Sequence, residues 1–490
     1  MSEQVSYKTI FKTTFLFSFV KIFQILAGII KNKFVDILLG AEGVGIIGIL
    51  SNSVSLLQQV AGLGISQSAV KDISEANVLN DKKRFSRTIT LTNRVILFTC
   101  LLGCFIAIMF SPLLSKWTFG DKSYTIAYIG MALVVGLNIL TEGQLAILKG
   151  MRQLRALAKA SMIGSVVGLI TSVPMYYFFG KEGIVPSLII TAFSAFFFSN
   201  YFVREIRYEK LLISLKDILN EVSPMVKMGI ALMFVGFLTL LSDLIIVAYI
   251  RSHGGLKIVG LYRAGTAIII SYFGIILNAM ETDYYPRISA VNKDNNKLQE
   301  EVNRQSEVGL VFIFPISVIF VFLSPLIFKL LYSKEFIQSI VYTDFAILGI
   351  IIVVCSNCMG MIFLAKQAVK IFTLYSFIHR TLFLPIYIIL YNYQGILGLG
   401  VAYILNTATQ LVIYSIISWY KYNIRLNKKL LITFLSIFGI VFINIYLKKN
   451  DNIYLRNSFG LISIFISSLY FHFKAKKVIN LNILSYFKVR

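Results

Sequence analysis

Residues 95–110 read Val-Ile-Leu-Phe-Thr-Cys-Leu-Leu-Gly-Cys-Phe-Ile-Ala-Ile-Met-Phe, and no charge interrupts the chain from Val95 until Lys116. About 20 predominantly apolar residues are what a helix needs to cross about 30 Å of hydrocarbon. Blocks of this kind recur along the 490 residues, separated by short polar stretches. The composition agrees: 57% of residues are hydrophobic, 14% are charged and the mean hydropathy is +0.77. A globular domain is about 45–50% apolar and about 25% charged. A soluble enzyme, a disordered tail and a nucleic-acid binder are excluded together, and the expectation is an all-α polytopic membrane protein.

Fourteen spans are expected. Six lie near 10–35, 43–69, 89–112, 125–147, 161–179 and 184–203. Six more lie near 224–250, 258–282, 305–328, 341–364, 371–391 and 396–419, and two near 430–447 and 457–473 close the chain. Of the 47 Lys and Arg, 31 fall in one alternating set of loops, 13 in the opposite set, and three (Lys21, Arg94, Arg380) within spans. Loops rich in Lys and Arg stay cytoplasmic. This places both termini in the cytoplasm of a multi-pass protein, and an even span count fits. The net charge of +24 is thereby mostly topology and contact with anionic lipids, not a nucleic-acid surface.

An internal repeat is written into the loops. A shift of 215 lays Val44-Gly45 on Val259-Gly260, and Ile73-Ser74, Asn77, Asn80 and Lys82 on Ile288-Ser289, Asn292, Asn295 and Lys297. At 213, Ser111-Pro112-Leu113-Leu114-Ser115-Lys116 meets Ser324-Pro325-Leu326-Ile327-Phe328-Lys329, and at 212 Gly183-Ile184 meets Gly395-Ile396. Six spans per repeat make parallel copies, whose rocking about a central cleft gives alternating access. The expected organisation is an N-lobe over 1–205, a C-lobe over 206–420, and two extra helices with a cytoplasmic tail over 421–490. No Gly-x-x-x-x-Gly-Lys-Ser/Thr stretch occurs, so nucleotide chemistry is not expected. No cofactor is called for beyond a coupling ion, H⁺ or Na⁺. Cys100, Cys104, Cys355 and Cys358 all sit within apolar blocks and read as small buried hydrophobes.

Charged groups in hydrocarbon cost about 2.5–3.5 kcal/mol on insertion scales and mark function. Lys21, Gln24, Gly28 and Lys31 share one face of the first span, a cationic wall for an anionic substrate. Ser51, Ser55, Gln58/Gln59, Gly62 and Ser66 form a stripe on the second, balanced between a cavity lining and close packing. Gly229, Gly236 and Asp243 line one face of the seventh span; Arg263, Ala267, Ser271, Gly274, Asn278 and Glu281 line the eighth. Glu142 sits late in the fourth. His379-Arg380 lies mid-way in the eleventh, where a guanidinium can hold phosphate oxygens in bidentate fashion. The substrate-binding candidates are Lys21, Arg380, Lys31, Arg263 and Gln24. Candidates for coupling or cavity polarity are Asp243, Glu142, His379, Gln59 and Asn278.

Leu38-Leu39-Gly40-Ala41-Glu42-Gly43-Val44-Gly45, followed by Gly62-Leu63-Gly64-Ile65-Ser66-Gln67-Ser68-Ala69-Val70, resembles the opening of the polysaccharide-biosynthesis flippases, the Wzx-type O-antigen translocases. Val259-Gly260-Leu261-Tyr262-Arg263-Ala264 and Tyr285-Pro286-Arg287-Ile288-Ser289 are similar to that family's second-half signature. The resemblance implies membership of the multidrug/oligosaccharidyl-lipid/polysaccharide exporter superfamily and a MATE-like fold. It also implies transfer of an undecaprenyl-pyrophosphate-linked oligosaccharide to the periplasmic leaflet of the bacterial inner membrane, in lipopolysaccharide or other surface-polymer biosynthesis. A polysaccharide polymerase and a chain-length regulator are the partners it suggests. It carries no catalytic motif, so the site residues rest on position alone. A cation-coupled multidrug or metabolite antiporter, or a peptidoglycan-precursor flippase, shares the same plan. The deep Lys21 disfavours the antiporter, and the scarcity of first-lobe arginines disfavours the peptidoglycan reading.

Overall fold

The computed structural model describes residues 3–66, 69–70, 72–73, 82–151, 153–206, 215–274, 276–277, 280, 284, 287–288, 291–366, 368–448 and 452–478. Within these, side chains are described for 23, 26–28 and from 30 onward, except 82, 154, 215–232, 235, 271–272, 369, 453 and 475–478. Eleven long α-helices occur among the described residues: α1 (Glu3–Ala61), α2 (Lys82–Phe119), α3 (Thr125–Gly150), α4 (Leu154–Phe179), α5 (Ile184–Arg204), α6 (Leu215–Ile268), α7 (Asn295–Leu331), α8 (Ser339–Ala365), α9 (Val369–Tyr422), α10 (Lys428–Leu447) and α11 (Ile453–Val478). No strand is present among the described residues. Three helices are bent at a glycine, α1 at Gly40, α6 at Gly255 and α9 at Gly395, which gives the fourteen helical segments that the apolar blocks lead one to expect. Nine helical stretches among the described residues are long and apolar enough to cross a membrane, one of them the 53-residue Lys370–Tyr422, room for two crossings. The protein is a multi-pass membrane protein.

The bends make the repeat visible in the backbone. Gly40 (φ 65°, ψ −169°) and Gly255 (φ 75°, ψ 177°) share a conformation at an offset of 215. Gly180 (φ 55°, ψ −132°) and Gly395 (φ 56°, ψ −133°) share another, again 215 apart. Positive φ at these corners favours glycine, which has no Cβ to clash with the following carbonyl. The match of Gly183 to Gly395 at 212 is corrected by this geometry. A Cβ on Gly183 would lie 2.2 Å from the Met175 oxygen, and one on Gly398 would lie 1.9 Å from the Leu390 oxygen. Gly183 is therefore the counterpart of Gly398, and the offset is 215 throughout these corners.

The Ser-Pro pairs that match at 213 share a local solution. A proline inside a helix leaves the carbonyl four residues earlier without its donor. Ser111 Oγ donates to the Ile108 carbonyl at 2.7 Å ahead of Pro112, and Ser324 Oγ donates to the Val321 carbonyl at 3.1 Å ahead of Pro325. In each case the serine re-satisfies the group that the proline orphans, the condition for proline in a membrane helix.

The chain divides into two compact units, Met1–Gly260 and Leu261–Arg490. In the first, α2 and α3 pack together, α5 packs on α3 and α4, and α1 packs on α4. One crossing brings backbone onto backbone: a Cβ on Gly45 would meet the Leu256 oxygen at 2.4 Å, and one on Gly260 would meet the Ala41 oxygen at 2.0 Å. These contacts exchange under the 215-residue offset, so the segments after Gly40 and after Gly255 cross as a local two-fold pair. On α2, Leu97, Phe98, Leu101, Phe105, Ile108 and Met109 are exposed while Ile96, Cys100 and Ala107 are buried. An apolar face turned outward on a span is a lipid-facing surface. Cys100 and Cys104 close over Gly136, packing as small apolar residues.

In the second unit, α8 is the central helix, with 78% of its most apolar window buried against α7 and α9. The helices α10 and α11, which lie outside the repeat, are tied to it at both ends. Lys448 Nζ, at the end of α10, donates to Asp344 Oδ2 at 2.6 Å and also to Ser324 Oγ. Lys474 on α11 pairs with Glu307 on α7. Between α9 and α10, Asn303 Nδ2 donates to the Arg425 carbonyl at 3.1 Å and Asn303 Oδ1 accepts from Asn427 N–H at 2.7 Å.

Candidate functional site

The second-span stripe does not run along an unbroken helix. The expected span over 43–69 is interrupted: α1 ends at Ala61, Gly62–Gly64 form a turn, and helical positions resume at Ile65. Leu63 (φ 48°) and Gly64 (φ 63°) are both left-handed. The Gly62 N–H donates to the Gln58 carbonyl at 2.8 Å and the Ile65 N–H to the Gly62 carbonyl at 3.0 Å, which stitches the corner. Gly-Leu-Gly is thus a helix break inside a membrane-spanning region, tolerated only where neighbouring protein or a wet cavity receives the freed backbone.

A cavity of about 220 Å³ opens at this break. Its polar wall is Ser55, Gln58, Gln59, Ser66 and Glu142, its floor is the turn at Gly62 and Gly64, and Ile139, Met233 and Leu240 complete it. The volume is about that of seven liquid waters. Glu142 lies eight residues before Gly150, about 12 Å along the helix axis. Its side chain is nevertheless exposed, because it faces this cavity and not packed hydrocarbon. Gln58 lines the same cavity as the Glu142 carboxyl. On α3, Gln144 Nε2 donates to Asn200 Oδ1 at 3.1 Å, and Ser199 Oγ donates to Gln144 Oε1. Residues two apart point about 200° apart on a helix, so binding Gln144 to α5 turns Glu142 the other way, into the cavity.

The polar faces expected on the second and seventh spans meet each other. Asn52 Nδ2 donates to Asp243 Oδ2 at 2.8 Å, and Gln59 Nε2 donates to the Met233 carbonyl at 3.3 Å. Gly236 makes room for Gln59: a Cβ there would lie 2.5 Å from Gln59 Nε2. The stripe therefore serves both packing and cavity, with Asn52 and Asp243 in the joint and Ser55, Gln58 and Gln59 at the opening.

Of the ten residues expected to act, Gln59 and Glu142 are brought together and Asp243 sits on the same α1–α6 joint. Lys31 is half-buried on α1. The side chains of Lys21 and Gln24, and Asn278 entirely, lie outside the described residues. Arg263, Arg380 and His379 belong to the second unit. Arg263 is half-buried, with guanidinium Nε and Nη2 both screened from solvent, and its carbonyl accepts from Thr266 Oγ1 at 3.0 Å. His379 is buried in an aromatic stack, 5.1 Å from Tyr375 and 4.6 Å from Phe383 between ring centroids. That is a packing environment. Arg380, next to it, is half-buried and acts electrostatically on Tyr375 and Tyr414. Among the described residues no group of three or more His, Cys, Asp or Glu side chains could hold a metal ion.

Fourteen helical segments among the described residues, a 215-residue repeat and a polar cavity inside an apolar unit define a multi-pass membrane protein. The chain belongs to the polysaccharide biosynthesis protein family, whose sequence model matches residues 37–341. The lipid III flippase of Escherichia coli (strain K12) is 22% identical over 178 residues, 34% of this chain and 41% of the relative. The match thus spans less than half the length of that curated relative. Two solved structures share the fold. The lipid II flippase MurJ in an inward closed conformation aligns over 96% of this chain and 100% of its own, with TM-score 0.65 and 14% identity. An inward-facing multidrug resistance MATE family transporter of the MOP superfamily aligns over 80% and 94%, with TM-score 0.65 and 14% identity. These proteins are flippases and transporters, not enzymes.

Proposed function

We propose that this chain is a flippase that moves an undecaprenyl-pyrophosphate-linked oligosaccharide, a repeat unit of O-antigen or another surface polysaccharide, between leaflets of the bacterial inner membrane. The observation that carries the reading is the polar cavity inside an apolar helical unit of a polysaccharide biosynthesis protein. A carrier lipid's tail is at home in hydrocarbon, whereas its sugars and pyrophosphate are not. A flippase supplies polar groups for the head while the tail remains in lipid, and alternating access exposes them first to one leaflet and then to the other. Lys21 and Lys31 on the first span, with Gln24 beside them, are the first unit's candidate cations for the pyrophosphate, and Arg263 and Arg380 are the second unit's. The helix ends nearest the cavity adjoin the basic clusters at Lys71–Arg87 and Lys149–Lys159, so the cavity opens toward the cytoplasmic side on the positive-inside rule. An H⁺ or Na⁺ gradient drives the cycle, or a polymerase, with its chain-length regulator, draws it forward by consuming the product.

A second reading, a peptidoglycan-precursor flippase, is favoured by the likeness to the lipid II and lipid III flippases. Deleting the gene and extracting lipid-linked saccharides separates the two. On the first reading an undecaprenyl-linked repeat unit accumulates, surface polymer disappears and the cells keep growing. Accumulation of peptidoglycan precursor with lysis supports the second. Accumulation of neither contradicts both.

A further inference from the structure

Among the described residues that line the cavity in the first unit, one carries a full charge, and it is an anion. Glu142 stands among side-chain amides (Gln58, Gln59) and hydroxyls (Ser55, Ser66), with no lysine or arginine among the described residues of the wall. Such a set cannot serve a pyrophosphate. Two negative groups brought together away from bulk water repel, and neither amides nor hydroxyls supply the missing positive charge. It suits sugar hydroxyls instead: amides and hydroxyls donate and accept in pairs, and an ionised carboxylate accepts from two donors at once. The apolar members, Ile139, Met233 and Leu240, offer a surface for the C–H face of a ring. At about 220 Å³ the space matches one pyranose, not a whole repeat unit. Gln59 is held in place from behind, by the Met233 carbonyl and the bare Gly236, so it is positioned before any ligand arrives.

We infer that this cavity is a sugar subsite, shaped for one uncharged or amino-bearing pyranose and closed by Glu142 to acidic sugars and to pyrophosphate. The inference rests on the flippase reading and adds to it a sorting of the substrate. The sugar is recognised in the first unit's cavity by neutral donors and one carboxylate, and the pyrophosphate is held elsewhere by cations. Attraction selects the sugar and like-charge repulsion rejects the wrong ones, the two halves of specificity.

The test measures binding of three probes to the full-length protein in nanodiscs: undecaprenyl pyrophosphate, undecaprenyl-pyrophosphoryl-N-acetylglucosamine and undecaprenyl-pyrophosphoryl-glucuronic acid. The N-acetylglucosamine lipid is expected to bind about tenfold or more tighter than the bare carrier, and the glucuronic acid lipid no tighter than the carrier. Glu142→Gln should let the glucuronic acid lipid gain about tenfold and leave the bare carrier unchanged. Gln59→Leu should bring the N-acetylglucosamine lipid down to the carrier's affinity. If Gln59→Leu does not fold, Gln59→Asn, which keeps the amide but withdraws it, should give the same loss. The inference is overturned if Glu142→Gln shifts all three probes equally, or if the sugar adds no affinity to wild-type protein. Failure of all three probes to bind overturns the flippase reading itself.

Discussion

The two compact units put the buried polar residues described in them to different uses. In the first unit, Gln58, Gln59 and Glu142 are turned toward a cavity, and the helix that carries the glutamines breaks at Gly62–Gly64 to form it. In the second, buried charge is consumed by packing: Asp344 and Ser324 receive Lys448, and His379 is stacked between Tyr375 and Phe383. The π-helical turn Ile269–Phe273 stands at the repeat position of Val54–Gln58, so the two copies have diverged at the place where the first builds its site.

That contrast can be broken most forcefully at Asp344. Its side chain is 6% exposed and that of Lys448 19%, and removing one member of a buried pair costs about 3–5 kcal/mol because the other charge stays behind. Asp344→Leu should therefore lower thermal stability sharply in detergent, and Asp344→Leu with Lys448→Met should recover most of the loss. No recovery would mean the pair is not the cause. Next in size is the glycine crossing. Gly260→Ala places a methyl 2.0 Å from the Ala41 carbonyl, backbone that cannot swing aside, for an expected loss of about 1–3 kcal/mol; Gly45→Ala, its counterpart, should behave alike. The polar cavity should show the reverse balance. Glu142→Gln is expected to change stability by less than about 0.5 kcal/mol while impairing export of surface polymer. Small as well, and without a functional effect, is the exposed pair of Lys181 with Glu42 at 2.5 Å, where Lys181→Ala should cost under about 0.5 kcal/mol. The Glu42 hydrogen bond raises the Lys181 pKa. Any contribution from this pair is accordingly present below the ordinary lysine range and is lost as pH rises through the raised value.

Much of this architecture is legible in the sequence because hydrocarbon imposes a simple rule of length and charge. The apolar blocks give the fourteen segments, and loop matches give the repeat. Matching letters placed Gly395 opposite Gly183, however, when the shared backbone conformation belongs to Gly180. A one-letter alignment cannot see φ and ψ. The stripe from Ser51 to Ser66 was visible as helical spacing, but its division into packing and cavity was not. That depends on Asp243, 191 residues from Asn52, and on Glu142 arriving from another helix. Asp344 is the lone acid between 341 and 364, a signal that could have been read. Its partner Lys448, 104 residues away, has the look of an ordinary outer-loop cation. His379 in a span suggests titration, whereas only its aromatic neighbours reveal that it packs.

The central claim is that the chain carries a saccharide-linked lipid from leaflet to leaflet, and the most direct measurement is transport in proteoliposomes. Undecaprenyl-pyrophosphoryl-N-acetylglucosamine with a fluorescent tag would be loaded, and the fraction reaching the far leaflet read by a membrane-impermeant quencher. Wild-type protein is predicted to accelerate exchange well above empty liposomes, and Glu142→Gln together with Gln59→Leu to slow it by about tenfold or more with the protein still folded. Exchange no faster than in empty liposomes, under every ion gradient applied, would contradict the account.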